Sequence, residues 1–151
     1  MLINGRCHCG NIGFTLRWAP EPERIPARAC TCSFCRKHGG LWTSCPTGAL
    51  EVRVKDPAGV HRYAFGTRTA VFHVCAGCGV VPVVTSEIDG RTYAVVSVRA
   101  FENVDPALVQ QAEVSFDGEG QGDRLARRQR NWIPDVRFVD RAEAAMPRSP
   151  G

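Results

Sequence analysis

No apolar run in this chain approaches the ~20 residues that a membrane-crossing helix needs. The first residues, Met1-Leu2-Ile3-Asn4-Gly5-Arg6, lack the apolar core of a signal peptide. These two absences make a cytoplasmic location the expectation and give no reason to invoke a membrane. No internal repeat is visible, and helical periodicity is almost absent. Aromatic residues are not interleaved among the C-terminal cations Arg124, Arg127, Arg128 and Arg130, as base-stacking surfaces require. Nucleic acid is therefore not an expected partner, and that arginine run reads as a solvated charged face. The composition is not that of a disordered chain either, since 44% of the residues are hydrophobic. At 151 residues there is enough chain for one domain with a substantial core, placed at 1–141, with a flexible tail at 142–151.

What the chain does have is cysteine, eight residues of it, and most are clustered. Cys30-Thr31-Cys32-Ser33-Phe34-Cys35 places three thiols within six residues. Cys7-His8-Cys9-Gly10 lies upstream and Cys75-Ala76-Gly77-Cys78-Gly79 downstream. Buried cysteines acting as small hydrophobes rarely occur as C-x-C-x-x-C. Disulfides suit small secreted chains, and C-x-C neighbours are poorly placed to bridge each other. Metal binding is the better reading. Cys7, Cys9, Cys75 and Cys78 supply four ligands, enough for a closed tetrahedral site. Cys30, Cys32 and Cys35 supply three and leave a position free. Seven thiolates and two Zn²⁺ ions would bring the formal charge of +4 to about +1, which weakens any inference from a basic sequence alone.

The rest of the chain reads as an antiparallel all-β domain. Residues 11–18, 24–29, 41–45, 50–55, 60–65, 69–74, 80–88 and 92–99 have strand patterning, the first and fourth with clean alternation. Asp89-Gly90 between apolar runs marks a hairpin. Asp105-Pro106 opens a helical turn expected to run to Gln111, Asp117 to Asp123 is a glycine-rich loop, and Leu125 to Trp132 forms a short basic helix.

Taken in order, the two outer cysteine pairs, the Cys30-Thr31-Cys32-Ser33-Phe34-Cys35-Arg36-Lys37 stretch, Tyr63-Ala64-Phe65-Gly66 and Ser97-Val98-Arg99 form a pattern. It resembles the glutathione-dependent formaldehyde-activating enzyme and centromere protein V family over about residues 3–105. The resemblance implies a β-tent of twisted sheets with two zinc ions. It assigns Cys7, Cys9, Cys75 and Cys78 to a structural zinc and Cys30, Cys32 and Cys35 to a catalytic one. It also implies a carbon–sulfur lyase, or thiol–aldehyde condensing enzyme, acting on glutathione and formaldehyde. The C-terminal arginine-rich segment departs from the family pattern.

Residue chemistry leaves alternatives open around the three-thiol site. His38, at Cys35-x-x-His38, or Cys45 would close it as a second structural site. Left open, three thiolates on a divalent ion make a weak Lewis acid but a good holder of a substrate thiolate. Arg36 and Lys37 either grip a carboxylate of a glutathione-like ligand or are solvated. His73 shares strand parity with Cys75, although an ordinary bonded histidine is the simpler reading. Trp42 packs in the core or walls the pocket, and Cys45 faces the core. Two rivals stand beside the lyase: a zinc-stabilised binding module without chemistry, and an enzyme using a different thiol or aldehyde.

Overall fold

The computed structural model describes residues 1–139. The expected tail at 142–151 lies outside the described residues. Among the described residues, eleven strands and two α-helices follow in chain order. The strands are β1 (Leu2–Arg6), β2 (Ile12–Arg17), β3 (Ile25–Cys30), β4 (Trp42–Thr43), β5 (Ala49–Val54), β6 (Val60–Tyr63), β7 (Val71–Cys75), β8 (Val83–Ile88), β9 (Arg91–Ser97), β10 (Val109–Val114) and β11 (Asp135–Val139). Helix α1 (Ser33–His38) follows β3, and α2 (Gln121–Asn131) follows β10. They form a four-stranded sheet in the order β1-β2-β5-β11 and a seven-stranded sheet in the order β10-β3-β4-β9-β8-β7-β6.

Side-chain alternation explains the layering. Ile12, Phe14 and Leu16 of β2 and Leu50 and Val52 of β5 point to one side and are fully or almost fully buried, while their neighbours are more exposed. They pack with Ile25, Val83, Ala94 and Val96 of the larger sheet into one core. On β8 and β9 the intervening residues are buried as well: Val84, Tyr93 and Val95 join Trp42, Phe72, Cys35 and Trp132 in a second cluster. The larger sheet is therefore covered on both faces, by the smaller sheet on one and by α1 and α2 on the other. That explains why its central strands read as near-continuous apolar runs. The Asp89-Gly90 hairpin forms as predicted, with both residues at positive φ (52° and 76°) between Ile88 and Arg91.

Several sequence expectations require correction. The sheets are not wholly antiparallel: β10 runs parallel to β3, and β11 parallel to β5. The helical turn expected over 105–111 is a single 3₁₀ turn, Pro106–Leu108, after which the chain extends as β10. Asp105 does cap that turn, its side chain accepting from the Ala107 amide at 2.9 Å. Pairing with β3 outweighs the local helical preference there, a tertiary override of propensity. Residues 98–100 are a 3₁₀ turn rather than the end of a strand. Strand β8 begins at Val83, not Val80. Helix α2 starts at Gln121 and shortens the expected loop. Strands β1 and β11 and helix α1 were not expected.

Candidate metal centres and their cavity

The first cluster is assembled by two tight turns at the ends of strands. After β1, Cys7 and Cys9 lie on a turn closed by the Gly10 amide on the Cys7 carbonyl at 3.1 Å. After β7, the Gly79 amide closes the matching turn on the Cys75 carbonyl at 2.7 Å. Both glycines sit at positive φ (85° and 80°), where a side chain would be strained. The turns meet, bringing Cys9 Sγ to 3.8 Å from Cys7 Sγ and 3.4 Å from Cys75 Sγ, with all four sulfurs within 4.8 Å of one another. Zn–S bonds of about 2.3 Å in a tetrahedron put sulfurs about 3.8 Å apart, so the set fits zinc in number, spacing and softness. The Ile12 amide donates to Cys7 Sγ at 3.3 Å.

The second cluster is local. Cys30 ends β3, Cys32 caps α1 by accepting from the Cys35 amide at 3.4 Å, and Cys35 is buried on that helix. The three sulfurs also lie within 4.8 Å of one another. Trp42 is both a core residue and a neighbour of the cluster, since its indole Nε1–H donates to Cys35 Sγ at 3.4 Å. Neither residue considered as a closing ligand joins the group. His38 is exposed and stacks on Phe34, ring centroids 5.3 Å apart. Cys45 sits in the other core, bonded to Thr47 Oγ1 at 3.4 Å.

Within each cluster the sulfurs compete for protons. Cys30 is pushed down to about 5, first by the Cys35 thiol that donates to it, against the opposing effect of burial, and further by Cys32 and Arg127. Cys35 is raised by the same shared proton and by burial. In the four-thiol set, burial raises Cys7 to about 11. At Cys78 burial also raises the pKa, but amides of Cys9 and Val80 and the neighbouring thiols prevail and take it down to about 6. A divalent cation in place of those shared protons leaves every ligand as thiolate.

Only the three-thiol cluster, of the two, opens on the cavity of about 210 Å³ found here. Phe65, Phe72, Val84, Val95 and Trp132 give the cavity apolar walls, and Phe116 and Asp117 lie at another side. Its cations are Arg28, Arg124, Arg127 and Arg128. Arg36 and Lys37, singled out from the sequence, are exposed on α1 and do not line it. The reading of the C-terminal arginines as a solvated face holds for exposed Arg130 but fails for the other three. Arg128 is 6% exposed, and its guanidinium donates to Thr69 Oγ1 at 2.8 Å and Ser86 Oγ at 3.2 Å. Arg127 makes two bonds to Glu119, 3.0 and 3.1 Å, and lies 3.6 Å over the Phe116 ring. Arg28 was missed altogether, although strand parity with Cys30 offered a signal. His73 is an ordinary bonded histidine: buried, 2.8 Å from Thr85 Oγ1, and held down to about 4 by burial and then by Arg62. No helix among the described residues is long and apolar enough to cross a membrane.

A mainly β architecture carries two cysteine clusters, one of them facing a cavity, that could each hold a metal ion. The family is then unambiguous: residues 2–116 match the glutathione-dependent formaldehyde-activating enzyme family, and the chain belongs to it. That span exceeds the 3–105 read from the motifs. A crystal structure of a Rhodobacter sphaeroides protein is similar, with 27% identity and a TM-score of 0.52. The similarity covers 72% of this chain and 99% of that one. None of the curated proteins compared with the chain matches it. Family membership supports a function related to glutathione and formaldehyde.

Proposed function

We propose that the protein is a zinc-dependent carbon–sulfur lyase, or thiol–aldehyde condensing enzyme, that joins glutathione to formaldehyde as S-hydroxymethylglutathione and catalyses the reverse reaction. The observation that carries this reading is the placement of Cys30, Cys32 and Cys35 on the wall of a cavity, with no further ligand in their group among the described residues. The four-thiol set, which joins the β1 and β7 ends, takes the structural role.

Zinc held by Cys30, Cys32 and Cys35 would supply a position for the substrate sulfur and keep it as thiolate. The chain's own residues do the rest. Trp42 fixes Cys35 by its indole N–H and so fixes the geometry of the trio. Apolar walls from Phe65, Phe72 and Trp132 exclude water from the face where thiol and aldehyde meet. The sulfur lone pair forms the new bond to the aldehyde carbon, the carbonyl π pair moves to oxygen, and that oxygen takes up the proton the thiol lost. Three thiolate ligands make a poor generator of hydroxide, which favours this chemistry over hydrolysis.

Uncatalysed addition of thiols to formaldehyde is itself rapid, so the test is an exchange rate. Two-dimensional exchange NMR between glutathione and its hydroxymethyl adduct should show exchange growing with protein concentration. With Cys32→Ser it should return to the uncatalysed rate. Equal rates with wild type and Cys32→Ser across the concentration range would refute the proposal.

A further inference from the structure

Helix α2 lies wholly beyond the family match, which ends at residue 116, yet it supplies Arg124, Arg127, Arg128 and the following Trp132 to the wall of the thiol cavity. Positions 124, 127 and 128 fall on one helical face, which the fold turns inward rather than to solvent. The face is anchored: Arg128 reaches Thr69 and Ser86, and the Ile133 and Ala94 backbones pair at 2.9 and 3.1 Å just past the helix end. From the family-matched part, β3 adds Arg28, whose guanidinium meets Ser44 Oγ at 2.8 Å; that hydroxyl donates to the carbonyl of Asn131 at the end of α2.

The charges in this wall do not balance. Glu119 takes Arg127 at 3.0 Å and stands 3.4 Å from Arg124. Among the described residues Arg28 and Arg128 meet only neutral hydroxyls, apart from the Trp132 ring under Arg128. Arg128 also keeps a buried Nε–H with no partner. Guanidiniums taken out of water are normally paired with an anion. Asp117, exposed among the lining residues, makes no ion pair with any described residue. Even with Asp117 and a singly negative cluster of three thiolates and one divalent ion counted in, the cavity retains excess positive charge. Burial and the neighbouring arginines depress Arg128 to about 10, which leaves its guanidinium charged at neutral pH.

We infer that Arg28 and Arg128 form an anion site that seats the carboxylate of the substrate thiol while its sulfur faces Cys30, Cys32 and Cys35. The substrate class is a carboxylate-bearing thiol with an apolar link lying against Phe72 and Trp132. Planar guanidiniums suit a carboxylate because they offer paired N–H donors in fixed geometry. Arg128 lies beyond the family match, so the device selects its substrate rather than performing the family's shared chemistry. The inference rests on the thiol reading above for the orientation of the ligand, but the anion site itself is separable from it.

Calorimetric titration of the zinc-loaded full chain with 3-mercaptopropionate, 3-mercaptopropanamide and butyrate separates charge from sulfur. The acid should bind at least tenfold more tightly than the amide. Arg128→Met and Arg28→Met should each bring the acid close to the amide, with far-ultraviolet circular dichroism matching the wild type to show that the variants are folded. Arg128→Lys should restore most of the preference for the acid, which a purely structural role would not predict. Equal binding of acid and amide to the wild type removes the anion site and leaves the thiol reading standing. A preference for the acid that survives both Met variants assigns the site to the wrong residues and overturns the inference. Butyrate binding that depends on Arg128, in a protein that binds neither thiol more tightly than butyrate, keeps the anion site and refutes the thiol reading instead.

Discussion

At the scale of single residues, Trp42 connects the core to the chemistry. Its ring packs with Phe72 in an edge-on contact, centroids 5.9 Å apart, while its one polar atom reaches Cys35. A hydrogen bond to a ligand sulfur spreads the thiolate charge and fixes its direction, and partners of this kind are typically worth about 10-fold or more in metal affinity. Trp42→Phe keeps most of the packing and removes only the donor. We expect the variant to fold and to lose the second zinc to a chromophoric chelator about 10-fold more readily, with the first unaffected. Unchanged competition at both sites would leave Trp42 a core residue and nothing more. The sequence left this tryptophan open between core and pocket wall and could not show its N–H aimed at a thiol 7 residues away, because that depends on how the chain folds back between them.

Among elements, the two clusters differ in what they join. Cys9 and Cys75 are 66 residues apart, and their contact ties the end of β1 to the end of β7, strands of different sheets. Ligand binding across that gap is folding free energy, whereas Cys30, Cys32 and Cys35 close only a six-residue segment. Cys75→Ser should therefore lower the thermal midpoint far more than Cys32→Ser, by on the order of 10 °C or more against a few degrees. Equal losses in a matched pair of melting curves would contradict the division of roles. The cysteine clusters and most strands were legible because spacing and period-2 alternation are local properties. The parallel strands β10 and β11, and the inward turn of α2, were not. Each depends on a distant partner: Gln111 faces Ala27, Arg137 faces Glu51, and Arg128 reaches Thr69. The arginines at 124, 127 and 128 read as a solvated stripe because charge alone does not say which way a helix is turned.

For the whole molecule, the two cysteine clusters belong to the two cores. The four-thiol set belongs to the cluster between the sheets, where Cys7 and Cys75 are buried beside Ile3, Ile12 and Val83. The three-thiol set belongs to the cluster on the far face of the larger sheet, next to the cavity. Removing metal from the second should loosen α1 and the cavity wall while the sheet sandwich remains; removing it from the first takes away the clip between the sheets. We therefore expect purified protein to carry about two zinc ions per chain and to release them to a chelator in two phases. In the first phase Cys30, Cys32 and Cys35 should become open to alkylation while the far-ultraviolet circular dichroism stays that of the folded sheets. In the second, Cys7, Cys9, Cys75 and Cys78 should become reactive as the β signal is lost. Mass spectrometry of the alkylated peptides assigns each phase to its cysteines. A single concerted release, or a β signal that outlasts the loss of both ions, would mean that the four-thiol site does not hold the sheets together.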